Sequence, residues 1–187
     1  MASSKVTRQE VLRDALELFR VFGFEGVSLS AISRKTGLEK PSLYFRFPGG
    51  KAQIAVEALG EAVKFFSEQI FRPLCGVGNP EEKVRLAIEG LRIFYGDGTM
   101  PCVTDSLSFP TEYPEVAMTL NRFLQAWIEA FSGVAEEAGM AGEEAQARAE
   151  SAIIALEGSL IVSRVLQDPR PFRRTLLEIP DVLLKSK

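Results

Sequence analysis

The chain has 187 residues, of which 46% are apolar and 25% charged, a composition typical of a globular protein with one or two domains. It contains no histidine, which excludes nucleophiles activated by imidazole, histidine-ligated zinc and histidine general bases. The formal net charge of −3 argues weakly against nucleic-acid binding. Cys75 and Cys102 are too few for a disulfide framework and fit a reducing compartment.

Charge is divided unevenly along the chain. Residues 1–51 carry nine basic and five acidic side chains, a net charge of +4, whereas the other 136 residues carry 13 basic and 20 acidic ones, a net charge of −7. Such a basic segment is typical of a polyanion-binding end, although chance clustering on a solvated surface gives the same count. Its basic residues are Lys5, Arg8, Arg13, Arg20, Arg34, Lys35, Lys40, Arg46 and Lys51.

Helical periodicity runs through nearly the whole sequence, and no alternating apolar and polar run is long enough to predict a strand. A capping box at Thr7–Glu10 begins a first helix, and Gly23 is expected to end it. Ser28 is a good N-cap for a second, short helix that ends at the turn made by Gly37. Pro41 lies in the first turn of a third helix, which is expected over about residues 40–47.

Longer helices are expected after the break at residues 48–50. Their expected ranges are about 51–71, 79–95, 114–138 and 143–166, with a last helix from 169 that Pro180 kinks or interrupts. The segment 96–113 reads as a long loop with one helical turn. We therefore predict an all-α fold of about nine helices, with one domain over residues 1–50 and a second over residues 51–187.

The sequence has no run of roughly 18 apolar residues that could span a bilayer, and its N-terminus lacks the apolar stretch of a secretory signal. A cytoplasmic protein without a membrane partner is therefore expected.

Residues 28–47 place two short amphipathic helices on either side of a glycine turn, the pattern of a helix-turn-helix. In such a motif the second helix enters the major groove of DNA. Its polar face offers cations and hydroxyls for phosphates and base edges, and an aromatic ring for thymine methyl groups. The side chains concerned are Lys40, Ser42, Tyr44, Phe45 and Arg46.

Residues 27–48, which read VSLSAISRKTGLEKPSLYFRFP, closely resemble the DNA-binding segment of the tetracycline-repressor (TetR) family. The most specific parts are the pair Leu43–Tyr44, the exit Phe47–Pro48 and a lysine that opens the next helix. The resemblance extends over about residues 7–60. The run Gly49–Lys51, the loop around Cys102 and the tail from Gly158 resemble the LmrA/YxaF-like regulators within this family.

The resemblance implies a role for each matching position. Ser28 caps the second helix and also reaches a phosphate, while Tyr44 and Lys51 match the family's phosphate-contacting tyrosine and lysine. The remaining positions, at the start of the recognition helix and on its base-reading face, are Lys40, Pro41, Ser42, Phe45 and Arg46.

Two positions depart from the family pattern. Gly50 stands where the family usually has its lysine, so Lys51 comes one residue late, and Glu39 stands where a hydroxyl cap is common. Plainer alternatives also exist for two of the polar features. Tyr44 is also compatible with a half-buried surface tyrosine, and Arg34 and Lys35 with a solvated face.

Family membership implies a small-molecule site in the helical body, whereas composition predicts only a core. Aromatic residues on helical stripes more often pack against each other than bind a ligand. A lid or edge of this site is expected in the loop from Met100 to Pro114. The residues expected to form the walls are Phe66, Phe94, Tyr95, Trp127 and Phe131.

No metal site and no cofactor are expected. Acidic pairs such as Glu136 and Glu137 read as solvated helix ends. Cys102 is expected to be buried and inert, because the nearest charge in the sequence is Asp105, which disfavours a thiolate.

A homodimer is expected through the last two long helices, where small residues such as Gly158 let a second helix approach closely. A four-helix interface with a second copy would hold two recognition helices about one DNA turn, roughly 34–36 Å, apart. The residues expected in the interface are Leu156, Ser159, Leu160, Ser163, Leu176, Ile179 and Leu183.

These observations predict a ligand-responsive transcriptional regulator and no enzyme. We expect a repressor that binds a palindromic operator on double-stranded DNA as a dimer and is released by a small apolar or amphipathic effector. Two alternatives stay open. One is a helical carrier or enzyme with no DNA role, and the other is an oligomerising adaptor that keeps the helix-turn-helix without binding an operator.

Overall fold

The computed structural model describes residues 6–108 and 113–185, and within them the backbone forms helices and no strand. The predicted all-α fold class is therefore confirmed. Lys5 and residues 109–112 of the expected lid lie outside the described residues. The α-helices are α1 Arg8–Gly26, α2 Leu29–Thr36, α3 Lys40–Arg46, α4 Gly50–Phe66, α5 Arg72–Leu74, α6 Pro80–Phe94, α7 Val103–Leu107, α8 Pro114–Glu137, α9 Gly142–Leu166 and α10 Arg170–Leu184.

The described residues form two compact units. The N-terminal unit comprises the residues up to Ala62 together with Val103–Asn121. The C-terminal unit comprises Val63–Cys102 and the residues from Arg122 onwards. None of the described helices is both long enough and apolar enough to cross a bilayer.

The first helix begins as its sequence predicts, and Gly23 interrupts it at the expected position. The Thr7 amide donates to Glu10 Oε2 at 2.7 Å, and the Glu10 amide donates to Thr7 Oγ1 at 3.2 Å, which completes the capping box. These bonds hold the pKa of the Glu10 carboxyl below its ordinary value. Gly23 adopts φ 70° and ψ 172°, which is not helical, so the regular helix from Arg8 ends there as expected, and a short helical segment continues beyond the kink to Gly26.

The helix-turn-helix consists of α2, a turn and α3. Ser28 Oγ accepts a hydrogen bond from the Ala31 amide at 3.2 Å, as expected of an N-cap. Gly37 adopts φ 71° and ψ 7° and so ends α2 in the left-handed conformation that glycine favours. Glu39 makes no side-chain cap for α3, which begins instead with Pro41 in its first turn.

The segment after α4 differs from the single long helix expected to about residue 71. A π-helix, Ser67–Phe71, follows α4 and leads directly into α5. Helix α6 packs closely on this π-helix at Gly90, where a Cβ atom would lie 2.6 Å from the Gln69 carbonyl oxygen. Only glycine therefore fits at that position of α6.

The remaining elements of the C-terminal unit pack around an aromatic core. In the 3-10 turn Gly96–Gly98, Asp97 adopts φ 57°. The Asp97 carboxylate forms an ion pair with the Arg173 guanidinium at 2.6 Å. The predicted helical turn within the expected loop is α7, which belongs to the N-terminal unit. Pro180 lies inside α10 and does not interrupt it.

Candidate nucleic-acid interface and ligand site

The outer face of α3 presents most of the predicted DNA-binding side chains together. Leu43 and the following Phe47 are buried and fix the inner face of this short helix. Tyr44 is 52% exposed and Phe45 is 88% exposed. The other exposed members of the predicted set are Ser28, Lys40, Pro41 and Ser42.

Arg46 and Lys51, by contrast, have partners within the N-terminal unit. Arg46 Nη1 donates to the Val6 carbonyl at 2.6 Å. Lys51 Nζ donates to the Phe24 carbonyl at 3.0 Å and lies 3.6 Å from the Glu25 carboxylate. The ammonium also lies 4.1 Å from the centre of the Phe24 ring. Both cations therefore stabilise the termini of α1 and α3 in this structure.

A polar network that the sequence did not predict connects α1 to the end of α3, and we call it the Arg8 network. Arg8 donates from Nε and Nη2 to Glu57 at 2.9 and 2.5 Å and from Nη1 to the Arg46 carbonyl at 2.6 Å. Its guanidinium also stacks over the Phe47 ring, 4.1 Å from the centre. Gln53 donates to Glu57 at 2.9 Å and accepts from the Gly49 amide at 2.8 Å.

The charge of Glu57 is favoured by this network. Burial raises the pKa of its carboxyl, but the hydrogen bonds from Arg8 and Gln53 and the Arg8 charge outweigh burial and lower the pKa below its ordinary value. Local sequence patterns could not predict the pair Arg8–Glu57, because 49 residues separate the two positions.

Few cationic side chains of the N-terminal unit remain without a partner and available for phosphate contacts among the described residues. Lys35 forms an ion pair with Glu17 at 3.0 Å, whereas Arg34 and Lys40 are exposed and form no ion pair among the described residues. We therefore expect a modest number of phosphate contacts.

All five predicted ligand residues belong to one aromatic cluster in the C-terminal unit, which we call the Phe66 cluster. The Phe66 ring centre lies 4.7 Å from Phe123, 4.8 Å from Phe94 and 4.9 Å from Trp127. The other members are Phe71, Tyr95, Phe131 and Phe172. These rings meet mostly edge to face, an arrangement typical of a packed core.

Two polar atoms stand out in this cluster. Trp127 is fully buried, and its Nε1 donates to no acceptor among the described residues. The Tyr95 hydroxyl lies 3.9 Å from Cys102 Sγ, and the buried position expected of Cys102 is observed. No group of acidic or cysteine side chains in the described part of the chain could hold a metal ion.

The residues expected in a dimer interface lie inside one protomer. All of them are buried in the core of the C-terminal unit, so they expose little surface to a second copy. The opposite face of α9 is exposed and largely apolar, whereas the exposed side of α10 is mostly charged and carries Leu177. The sequence pattern could not show which face of α9 is buried in the protomer and which is exposed, because both faces carry aliphatic residues. The exposed aliphatic residues of α9 and α10 are Ile154, Ile161, Val162, Val165, Leu166 and Leu177.

Comparison with known proteins supplies two family matches. A family model described as "Bacterial regulatory proteins, tetR family" matches residues 11–58. A second, described as "Transcriptional regulator LmrA/YxaF-like, C-terminal domain", matches residues 95–176.

Two relatives from Bacillus subtilis (strain 168) match nearly the full length. The HTH-type transcriptional regulator LmrA is 26% identical over an alignment of 186 positions, which covers 95% of this chain and 96% of LmrA. The uncharacterized HTH-type transcriptional regulator YxaF is 26% identical over 196 aligned positions, which cover 100% of both chains.

Solved structures share the fold. A TetR transcriptional regulator from Legionella pneumophila superposes with a TM-score of 0.81 at 20% identity, covering 98% of this chain and 100% of the other. A cysteine mutant of the TetR-family regulator CifR, complexed with a 26-base-pair operator DNA, superposes with a TM-score of 0.76 at 20% identity, with 98% of each chain covered.

All of these relatives are regulators rather than enzymes, in agreement with the prediction that this chain has no catalytic role. The two family matches lie one after the other, and the first covers the helix-turn-helix. The chain is therefore a member of the TetR family of bacterial transcriptional regulators, with a C-terminal domain of the LmrA/YxaF-like type.

Proposed function

We propose that this regulator is a repressor that binds a palindromic operator as a homodimer and leaves it when a small apolar or amphipathic effector binds. Residues 1–50 form the DNA-binding domain in this proposal, and residues 51–187 form the effector and dimer domain. It acts in the cytoplasm, where bacterial DNA lies.

The observation that carries the DNA-binding part of the proposal is the exposure of aromatic side chains on α3. A short helix that buries Leu43 and leaves Phe45 88% exposed offers a large apolar side chain to a partner. In the major groove such a ring meets thymine methyl groups, and the neighbouring Tyr44 hydroxyl reaches a phosphate.

The other predicted contacts divide into two groups. Ser28, Lys40, Pro41 and Ser42 lie on the exposed surface with Tyr44 and Phe45 and contact DNA in this proposal. Arg46 and Lys51 are positioning residues, because their cationic groups already bind the carbonyls of Val6 and Phe24.

A second copy of this chain is the proposed occupant of the exposed aliphatic face of α9 and α10. Residues 154, 158, 161, 162 and 165 of α9 recur every three or four positions along one exposed side, and Leu177 of α10 is 81% exposed. Gly158 allows close approach of the partner helix, because a Cβ atom at this position would meet no other atom of the protomer within 4 Å.

The effector site is proposed within the Phe66 cluster, where Phe66, Phe94, Tyr95, Trp127 and Phe131 supply apolar walls. An effector releases DNA only if it binds the DNA-free conformation more tightly than the DNA-bound one. The packed rings of this structure must therefore part to admit it.

Selection from random-sequence double-stranded DNA tests the proposal. The wild type should enrich an inverted repeat, and Tyr44→Ala should bind the enriched sequence more weakly with an unchanged fold. Failure of the wild type to enrich any repeat would refute the DNA-binding part.

Size-exclusion chromatography with light scattering tests the dimer. Ile154→Glu, at a position 70% exposed on α9, should yield a monomer, whereas Ile93→Glu, at a position 56% exposed on α6, should remain a dimer. A monomeric wild type at micromolar concentration contradicts the proposed interface.

A further inference from the structure

The indole of Trp127 is a buried hydrogen-bond donor without an acceptor. Its side chain is fully buried, and Nε1 has no partner among the described residues. Indole nitrogen donates only, so it cannot be satisfied by accepting a bond from a neighbour. Because buried polar groups in proteins are nearly always paired, this one calls for an acceptor that the described residues do not supply.

The surroundings of this donor are apolar and aromatic. The ring centres of Phe66, Phe131 and Phe123 lie 4.9, 6.0 and 6.1 Å from that of Trp127. These three neighbours are phenylalanine side chains, which carry no charge. A charged group brought here would lose its hydration without gaining a counter-charge, so this site disfavours an ionic ligand.

One wall of the site has irregular backbone. Phe71, whose ring centre lies 5.8 Å from Phe66 and 6.4 Å from Phe123, ends the π-helix Ser67–Phe71. Single-turn π-helices occur frequently at functional sites. A ligand that enters beside Phe66 would have to displace the Phe71 ring, which packs against it.

We infer that the effector is an uncharged, mainly apolar molecule that carries a hydrogen-bond acceptor, such as a carbonyl oxygen, and places it on Trp127 Nε1. The aromatic rings bind its apolar part, and the indole donor selects ligands with a correctly placed oxygen. This inference rests on the proposed function, since it names the chemical class of the effector for the Phe66 cluster.

The single tryptophan of the chain makes the site directly observable. Protein labelled with nitrogen-15 in the indole gives one indole cross-peak in a proton–nitrogen correlation spectrum. The probes are 1-indanone and indane, two bicyclic molecules that differ only in the exchange of a CH2 group for a carbonyl. We expect 1-indanone to move the indole proton downfield and slow its exchange with solvent, and indane to do neither.

Three outcomes of this experiment overturn the inference. One is an indole signal that does not respond to 1-indanone, and another is an equal response to both probes. The third is an indole proton that is already hydrogen-bonded in the free protein, because a resident water molecule would then satisfy the donor.

A variant pair separates the hydrogen bond from simple packing. Trp127→Phe removes the donor and should weaken 1-indanone binding by about 2- to 12-fold while leaving indane binding within about twofold, as measured by ligand-observed relaxation. Phe131→Leu keeps the donor and changes a neighbouring ring, so it should weaken both probes alike. Equal losses for both probes in Trp127→Phe refute the acceptor. If Trp127→Phe does not fold, the wild-type comparison of the two probes decides.

The same preparations also separate this inference from the proposed function. A wild type that enriches an inverted repeat but does not distinguish 1-indanone from indane refutes the acceptor site alone. A wild type that distinguishes the probes but enriches no DNA refutes the repressor and leaves the acceptor site supported.

Discussion

The recognition helix α3 and the Phe66 cluster both use aromatic residues, in opposite ways. On α3 the aromatic side chains of Tyr44 and Phe45 are exposed, and the polar Arg8 network holds the end of the helix. In the Phe66 cluster the rings are buried against each other, and the Trp127 indole finds no acceptor in the described parts of the chain. We therefore assign the exposed rings to the proposed DNA-binding surface and the buried indole donor to the proposed effector site.

The largest expected difference between the two regions concerns stability. Phe66→Ala removes the ring at the centre of the cluster and should lower the free energy of unfolding by about 3–5 kcal/mol. Phe45→Ala deletes an equal volume from an exposed site and should change it by less than about 0.5 kcal/mol. Urea unfolding of the two variants measures both values, and similar losses would contradict the contrast between core and surface.

The next largest effect is on DNA binding. Phe45→Ala should weaken binding to the selected operator by about 1–3 kcal/mol and relax specificity at the contacted base pair. Titration against operator and scrambled DNA at one salt concentration measures this loss. Equal weakening on both DNAs would mean that Phe45 reads no base.

A smaller effect is expected in the Arg8 network. Glu57→Gln keeps the shape of the side chain but loses the charge that receives two bonds from Arg8, and should cost about 1 kcal/mol of unfolding free energy, given the partial exposure of the pair. Urea unfolding near neutral pH measures the loss, and an unchanged midpoint would contradict it.

The same carboxyl gives the network a pH dependence. Because the pKa of Glu57 is lower in the folded state, its contribution is complete above the ordinary value of 4.5 and is lost as the pH falls through the folded pKa. Wild type should therefore lose its advantage over Glu57→Gln under acid conditions. A constant difference between the two proteins from pH 7 to acid pH would refute the assignment.

The smallest expected effect concerns Lys51. If its ammonium stays on the Phe24 carbonyl, Lys51→Gln leaves the slope of the operator affinity against salt concentration unchanged. A phosphate contact would instead reduce that slope by about one. Lys40→Gln, which removes an exposed cation from α3, is the matched control and should reduce the slope.

Local features of the sequence predicted the helix-turn-helix well, because its caps, glycine turn and inward residues lie within a few positions of each other. The cap bond from Ala31 to Ser28 and the left-handed Gly37 are both observed. The resemblance to a family added the roles of Tyr44 and its neighbours, which periodicity alone does not supply.

Features that depend on tertiary contacts could not be predicted from local sequence patterns. The partners of Arg46 and Lys51 lie 40 and 27 residues away, so their engagement with backbone carbonyls has no sequence signature. The seven expected interface residues lie on the inner faces of α9 and α10, and on α9 the outer face is also apolar. The π-helix after α4 was not predicted either, and it packs closely against Gly90 of α6, a contact between two separate helices.

Gly90 has a consequence for how this protein tolerates change. A methyl group there would approach the Gln69 carbonyl to 2.6 Å, and backbone cannot move aside as a flexible side chain can. Gly60 lies in a helix too, but nothing is within 4 Å of its missing Cβ, so alanine there should gain roughly 0.5–1 kcal/mol from helix propensity. A mutational scan should therefore find that alanine stabilises the protein at Gly60 and destabilises it at Gly90, where the side-chain-free backbone allows α6 to approach the π-helix.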